Sequence, residues 1–185
     1  AGYYFSEVNV VVKENNNDTL DLVYNIFTGE KALIKNIKFT GDKFYKNKKL
    51  RSVIVSEEAK FWKFISNKKY LDIDRIELDK RLLRNFYLNK GYYNVEIESS
   101  SAVFDDNSFE LIYNINSGNK FFIKDVVLNI PIDYDIKDFK EVKKTIDSLK
   151  DKKYSFNKVN KVIKEIDKIS VSRLYDFIDA TIEVQ

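Results

Sequence analysis

The chain carries two similar stretches of thirty residues. Residues 2–31 read GYYFSEVNVVVKENNNDTLDLVYNIFTGEK, and residues 91–120 read GYYNVEIESSSAVFDDNSFELIYNINSGNK. The two stretches align without a gap at an offset of 89 residues (91 − 2). A repeat with a period of this length indicates one supersecondary unit that recurs along the chain.

Each copy predicts a β-hairpin that ends at a glycine, Gly29 or Gly118. In the second half of each copy, apolar residues alternate with polar ones, which is typical of a strand with one buried face. The alternating apolar residues are Leu20, Leu22, Tyr24 and Ile26 in the first copy, and Phe109, Leu111, Tyr113 and Ile115 in the second. Asn and Asp cluster between the two runs of each copy, and these residues favour turns.

More strands and a first helix are predicted outside the hairpins. KALIKNIKF (31–39) and KFFIKDVVL (120–128) continue the alignment at the same offset and predict one strand each. FIDATIEV (177–184) predicts a last strand. Leu50, Val53 and Ile54 lie at helical spacing and predict a helix between strand and hairpin.

A longer helix is predicted to begin near Asp74 and to run up to Gly91. Asp74 and Glu77 have the spacing of a capping box. The apolar stripe of this helix consists of Leu78, Leu82 and Phe86, with Leu83 and Tyr87 beside them. Gly91 ends a helix and begins a strand, so we expect it at positive φ.

The last third of the chain predicts two more helices. Their apolar residues are Phe139, Val142, Ile146 and Leu149 in one, and Val159, Val162, Ile163, Ile166 and Ile169 in the other. We expect Asn157 to cap the second of these helices. The recurring unit is therefore strand, helix, helix, strand, strand, which predicts an α+β fold with a three-stranded sheet and two helices on one face.

The composition excludes several kinds of site. The 185 residues include no Cys and no His, which removes disulfides, thiol nucleophiles, imidazole bases and most zinc sites. Lys and Arg number 32 against 29 Asp and Glu, and the two signs alternate finely, as on solvated helix faces. The chain has no Met and no run of about 18 apolar residues, so we expect a piece of a longer protein without a membrane-spanning helix.

Tandem units of this kind, with a helix running into Gly-Tyr, resemble POTRA domains, the polypeptide-transport-associated modules of bacterial outer-membrane barrel-assembly proteins. The stretches that carry the resemblance are IKNIKFTGDKFYKNKKL (34–50), KFWKFISNKKYLDIDRIELDKRLLRNFYLNKGYYNVEIE (60–98) and LIYNINSG (111–118). The resemblance implies tandem POTRA repeats, each with a mixed sheet. Residues 1–30 would be the C-terminal hairpin of a second POTRA, 31–118 a complete third POTRA, and 119–185 a fourth without its last strand.

The resemblance also implies a function. It implies a non-enzymatic scaffold, without a cofactor, on the periplasmic face of the outer membrane of a Gram-negative bacterium. The implied partners are unfolded outer-membrane β-barrel proteins, accessory outer-membrane lipoproteins of the assembly complex and neighbouring POTRA domains. Membrane attachment would come only through a barrel outside this chain, and no nucleic acid would bind.

The resemblance implies that clients add by β-augmentation to the edge strand that follows the second helix. The predicted edge residues are Tyr93, Asn94, Val95, Glu96, Ile97, Glu98, Ser99 and Ser100. Val95 and Ile97 would lie on one face, with Glu96 and Glu98 on the other. The polar run Ser99–Ser101 interrupts this alternation and predicts a bulge with a weakly fixed register.

A second candidate surface is the aromatic loop with Phe61, Trp62 and Phe64. It would be a docking or interdomain loop. The alternative is that Trp62 packs on its own domain or on a neighbouring one, since aromatic side chains bury large areas.

Four other groups of residues have both a functional and a structural interpretation. Phe44, Tyr45 and the lysines of KNKK (46–49) could contact nucleic acid, but the near-neutral charge argues against it. Asp72 and Asp74 could hold a metal, although a helix cap explains Asp74 alone. Asp105 and Asp106 could be catalytic carboxylates. However, a solvent-exposed turn does not shift a carboxyl pKa far from its ordinary value. A serine nucleophile from Ser99–Ser101 with a Lys general base stays an open alternative. Such a Lys must be buried, because burial lowers its pKa.

Overall fold

The computed structural model describes residues 3, 6–15, 19–62, 65–105, 108–130, 132, 134–173 and 175, and for residues 102–105 it describes the backbone alone. These residues form two compact units. The first unit contains the described residues up to Leu83 and those of Ile97–Asn116. The second contains Arg84–Glu96 and the described residues from Ser117 onward.

The N-terminal hairpin forms as predicted. Strands β1 (Glu7–Glu14) and β2 (Leu20–Phe27) pair antiparallel over eight residues each, and Gly29 follows at a φ of 60°. Every residue of the two strands is exposed, including Leu20 at 60% and Tyr24 at 60%. The apolar face that the alternation predicted is therefore present but uncovered among the described residues.

The central sheet has three strands in the order β3-β5-β4. These strands are β3 (Leu33–Asp42), β4 (Glu96–Asp105) and β5 (Ser108–Asn116). β3 pairs parallel with β5. Only two residues separate β4 from β5, which is too short for the crossover that a parallel pair needs, so these two strands run antiparallel. The sheet is mixed, as expected, and β3 and β4 are its two edges.

One face of the central sheet is buried. Its buried apolar side chains are Ile34, Ile37, Phe39, Phe109, Leu111, Tyr113 and Ile115. Helices α1 (Asn47–Arg51) and α2 (Ile73–Leu88) cover this face, with Leu50 and Leu83 fully buried. The predicted order of strand, helix, helix, strand, strand is confirmed.

The buried stripe of α2 differs from the predicted one. The fully buried residues are Asp79, Leu83 and Tyr87, each four residues after the last, whereas Leu78, Leu82 and Phe86 are half-buried. The prediction was wrong because it excluded an acidic residue from the buried face. A charged group can be buried when hydrogen bonds satisfy it, and Asp79 is such a case.

The first turn of α2 is capped by Asp72 and not by the predicted box of Asp74 and Glu77. The Asp72 carboxylate accepts a hydrogen bond from the backbone N–H of Arg75 at 2.9 Å, the bond that an N-cap side chain makes. Glu77 instead pairs with Lys80 at 3.0 Å.

The end of α2 is confirmed at Gly91, which has a φ of 100°. The N–H of Tyr92 donates to the carbonyl of Tyr87 at 3.1 Å, and the N–H of Gly91 donates to the carbonyl of Leu88 at 3.3 Å. This pair of bonds is a Schellman motif. The rings of Tyr87 and Tyr92 meet edge to face at 5.5 Å and supply the apolar contact that accompanies such a motif.

The second compact unit is built around two helices, α3 (Lys140–Asp147) and α4 (Phe156–Arg173). A 3-10 turn, Ile136–Phe139, precedes α3. The core of this unit consists of Phe139, Val142, Ile146, Leu149, Val162 and Ile166. The helical periodicity of the last third of the sequence therefore predicted both helices and their buried faces.

The strand predicted over 120–128 does not form. Phe122 makes an isolated antiparallel bridge with Lys153, and Ile123 exchanges backbone hydrogen bonds with Asp151 and Lys152. In the central sheet the equivalent strand is stabilised by pairing with β5, and the described residues of the last third contain no such strand. The predicted strand 177–184 lies outside the described residues.

Asn89 caps α4 through its side chain. Its Oδ1 accepts hydrogen bonds from the backbone N–H of Asn157 at 2.8 Å and from the hydroxyl of Ser155 at 3.1 Å. Its Nδ2 donates to the carbonyl of Asn85 at 2.8 Å, so both ends of the amide are used. The expectation that Asn157 is itself the cap is wrong, since it lies in the first turn of α4 (Phe156–Arg173) and its N–H is the group being satisfied.

Two glycine substitutions should differ in cost for a geometric reason. A Cβ on Gly91 would lie 3.4 Å from the carbonyl oxygen of Phe121, an ordinary contact, so Gly91→Ala should cost about 1 kcal/mol from the positive φ alone. A Cβ on Gly41, at a φ of 80°, would lie 2.5 Å from the carbonyl oxygen of Ile115, so Gly41→Ala should cost roughly 3 kcal/mol or more. Urea unfolding followed by circular dichroism measures both, and equal costs would contradict the geometry.

Candidate partner-binding edge

The buried carboxylate of Asp79 organises the segment that follows α1. One oxygen accepts from the backbone N–H of Val55 at 2.6 Å, and the other accepts from the N–H of Ser56 at 3.2 Å and from the hydroxyl of Tyr113 at 2.7 Å. Burial, followed by the charge and hydrogen bond of Asp79, raises the pKa of Tyr113 far above its usual value. Asp79 thus ties α2 to residues 55–56 and to β5.

The segment after Ser56 closes the β3 edge of the sheet. The N–H of Ala59 donates to the carbonyl of Ile34 at 2.7 Å, and the N–H of Leu71 donates to the carbonyl of Ala32 at 2.8 Å. Lys43 donates through Nζ to the carbonyl of Phe39. An edge strand whose outward groups are bonded within its own chain is a poor template for another strand.

An ion pair occupies the middle of the same edge. The Ile37 N–H donates to Glu58 Oε1 at 3.0 Å, and Arg51 Nη2 donates to the Ile37 carbonyl at 2.6 Å. Arg51 and Glu58 also bond to each other. Burial alone would raise the pKa of Glu58, but the hydrogen bonds from Arg51 and Ile37, with the charges of Arg51 and Lys60, outweigh it and hold this pKa below its usual value.

The opposite edge, β4, is open as far as the described residues are concerned. In the part of the chain that the structure describes, no group outside the sheet bonds to the backbone of Glu96–Ser101. The nearest hydrogen bond from a group outside the sheet lies just before the strand, where Arg84 Nη1 donates to the carbonyl of Val95 at 3.3 Å. Side-chain exposure alternates as predicted: Glu96 and Glu98 are exposed, and Ile97 between them is half-buried.

The predicted edge strand begins three residues too early. Tyr93 and Asn94 lie in a turn, closed by the N–H of Val95 bonding to the carbonyl of Tyr92 at 3.4 Å. The ring of Tyr93 packs edge to face on Tyr154, with centroids 5.0 Å apart. Val95 is buried at 1% exposure. The strand cannot start earlier because the chain is still turning away from the end of α2.

The rest of the predicted edge lies in β4. Ser99 is half-buried, and Ser100 and Ser101 are both exposed, so the alternation ends where the polar run begins. An irregularity in the pairing of β3 with β5 lies between Ile34 and Asn36. A bulge at Ser99–Ser101 stays a prediction.

The aromatic loop is exposed. Phe61 and Trp62 are 87% and 59% exposed and meet edge to face at 4.5 Å, with Lys60 Nζ 5.5 Å from the centroid of the Trp62 ring. More than half of the Trp62 side chain is therefore exposed, and its packing on a neighbouring domain stays a prediction. A docking or interdomain role stays a prediction, and Phe64 lies outside the described residues.

The described residues contain no arrangement of side chains that fits the catalytic or metal-binding alternatives. No group of three acidic side chains there could hold a metal ion, and Asp72 serves as a helix cap. Ser100 and Ser101 are exposed on a strand and not in a buried site. Asp106 lies outside the described residues, as does the side chain of Asp105. None of the described helices is both long enough and apolar enough to cross a membrane.

Residues 32–118, which contain this sheet with its closed and open edges, match the family model POTRA, described as "Surface antigen variable number repeat". This segment is a POTRA domain. The observation agrees with the resemblance carried by residues 34–50, 60–98 and 111–118.

Two curated relatives align with more of the chain than this segment. Both are named "Outer membrane protein assembly factor BamA". The protein of Neorickettsia risticii is 26% identical over 133 residues, which are 71% of this chain and 18% of that protein. The protein of Buchnera aphidicola is 22% identical over 121 residues, 64% of this chain and 19% of that protein. The chain thus spans about a fifth of the length of these relatives.

A solved structure supports the fold. The crystal structure of Haemophilus influenzae BamA POTRA3-5 superposes with a TM-score of 0.58, covering 90% of this chain and 63% of that one at 11% identity. At such identity the likeness concerns the POTRA fold alone, which agrees with the α+β architecture described above.

Removal of the buried carboxylate should be the most destabilising single change near this site. Asp79→Ala leaves three donors without an acceptor and should lower the free energy of unfolding by roughly 3 kcal/mol or more, while Tyr113→Phe should lower it by about 1.5 kcal/mol. Arg81→Ala, an exposed truncation on the same helix, should stay within about 0.5 kcal/mol. A small effect of Asp79→Ala in urea unfolding would contradict the central role of this group.

Closure of the β3 edge should depend on pH. The folded-state pKa of Glu58 is lowered, so its contribution to stability is complete above the ordinary value of 4.5 and is lost as pH falls through the lowered value. The difference in unfolding free energy between the parent chain and Glu58→Gln should therefore shrink below pH 4.5. Glu98→Gln is the control for loss of one negative charge. A difference that grows on acidification would refute this account.

Proposed function

We propose that this chain is a POTRA scaffold segment of an outer-membrane protein assembly factor on the periplasmic face of the outer membrane of a Gram-negative bacterium. The scaffold is non-enzymatic and receives extended segments of unfolded outer-membrane β-barrel proteins by β-augmentation on β4. The names of the curated relatives support the assignment to an assembly factor.

The observation that carries the binding mode is the difference between the two edges of the sheet. Backbone groups of Ala32, just before β3, and of Ile34 and Ile37 within it are bonded by other parts of the chain. The outward backbone groups of β4 from Glu96 to Ser101 are not bonded by any described group outside the sheet. Backbone N–H and C=O groups on an open edge pair with an extended chain largely regardless of its sequence. Such pairing suits a scaffold that meets many different clients.

The domain limits follow from the 89-residue repeat. We place the complete POTRA domain at 31–118, the closing hairpin of a preceding one at 1–30, and a following one at 119–185. The exposed apolar face of β2, with Leu22 and Ile26 at 55% and 64%, supports the idea that the hairpin belongs to a larger sheet-and-helix unit.

Accessory lipoproteins and neighbouring POTRA domains are the partners that we propose for the aromatic loop. Phe61 and Trp62 are large, exposed and adjacent, and buried aromatic side chains often dominate the energy of protein interfaces. The nucleic-acid alternative, with Phe44, Tyr45 and the lysines of 46–49, is not favoured, because the family match and the curated relatives point to protein assembly.

A proline scan with a peptide titration tests the binding mode. Neighbouring residues of an edge strand point their N–H groups alternately inward and outward, so of Ser99→Pro and Ser100→Pro one should disrupt a sheet bond and the other should not. Hydrogen exchange of the parent chain identifies the outward position. The outward variant should stay folded and should abolish the amide shifts that an extended peptide of alternating apolar and polar residues causes in β4.

The amides of β3 provide an internal control in the same titration, since their edge is closed and they should not shift. Shifts confined to the helices, or shifts in β4 that survive the outward proline, would exclude β-augmentation on this strand.

A further inference from the structure

We propose that Glu96 and Glu98 make the β4 edge selective for extended chains that carry Lys or Arg at alternate positions. This inference rests on the proposed function, because it concerns which strands the open edge accepts. It assigns to the two carboxylates a role in choosing the partner, while the backbone of β4 supplies the sequence-independent hydrogen bonds.

The two carboxylates share one face of the edge strand. Residues two apart in a strand point to the same side, and both Glu96 and Glu98 are exposed on the side opposite the buried face. Neither forms an ion pair with any residue that the structure describes. On the same side of the neighbouring strand, Glu110 is already paired with Lys38 at 2.8 Å. Among the described residues, Glu96 and Glu98 therefore carry negative charge without an ion-pair partner at the open edge, and the Arg84 guanidinium bonds instead to the carbonyl of Val95 just before the strand.

Cross-strand pairing converts this charge into selectivity. A strand that adds to β4 places every second side chain beside Glu96 and Glu98. Opposite charges in such positions stabilise the pairing, and like charges directly opposite each other destabilise it. The backbone bonds are nearly the same for any sequence, so side-chain charge distinguishes one client strand from another.

The same carboxylates would oppose pairing of the open edge with a second copy of the chain. Two copies of the chain that met edge to edge would bring Glu96 and Glu98 of each close to the same residues of the other. Charged side chains on an exposed edge oppose such association. A client strand with basic residues at the matching positions removes this obstacle, whereas a second copy of this strand keeps it.

Three matched peptides test the selectivity. Each has the same apolar residues at alternate positions, with Lys, Ser or Glu in between, and binding is measured by NMR titration of β4 amides in the whole chain. The Lys peptide should bind about tenfold more tightly than the Glu peptide, with the Ser peptide between them. The chain has a net charge of +3, so non-specific attraction would give the reverse order.

The variant Glu96→Gln with Glu98→Gln should bind all three peptides within about twofold of one another. The matched control, Glu77→Gln with Glu141→Gln, makes the same change in net charge on helices α2 and α3 and should keep the tenfold preference.

The outcomes separate this inference from the proposed function. Equal binding of the three peptides to β4 of the parent chain, tighter binding of the Glu peptide, or an unchanged preference in the edge variant overturns the selectivity and leaves β-augmentation standing. Absence of any shift in β4 with all three peptides overturns the proposed function and this inference with it.

Discussion

The arrangement of the central domain depends on the buried carboxylate of Asp79. By accepting from the N–H groups of Val55 and Ser56, it fixes the path of the chain as it leaves α1. That path delivers Glu58 and Ala59 to the outward side of β3, where they bond to backbone groups that would otherwise face water. The hydroxyl of Tyr113 joins the same carboxylate to the middle strand. One buried carboxylate thus positions the segment that closes the β3 edge.

Local sequence patterns predict much of this architecture. The alternation around Leu111 and Tyr113 predicted β5 and its buried face, and the positive φ of Gly91 follows from its place between a helix and a turn. Asp79 was missed because an acidic residue on a helix is expected to face water. Its spacing, four residues before Leu83 and eight before Tyr87, is the signal that could have found it. Local patterns therefore predict which side of an element is buried, but they misplace a charge that distant donors satisfy.

The features that make the candidate site were harder to predict, because they come from contacts between distant residues. Arg51 and Glu58 lie 14 and 21 positions from Ile37 along the chain, and no periodicity indicates that they meet its backbone. The strand expected over 120–128 fails to form for a related reason. Its sequence aligns with that of β3 at the 89-residue offset, but a strand is stabilised by a neighbouring strand, and Phe122 makes only an isolated bridge with Lys153 among the described residues. The prediction that β4 is an edge strand rested on the family resemblance, because the residues of β4 alone do not indicate an edge.

The side chain of Asn89 links the ends of two helices. It projects from the end of α2, and it satisfies the first turn of α4 through the N–H of Asn157 and the hydroxyl of Ser155. Fraying at the end of α2 would therefore uncap α4 as well, at the cost of a lost N-cap. One side chain therefore stabilises both the last turn of α2 and the first turn of α4, and the two helix ends do not open independently of each other.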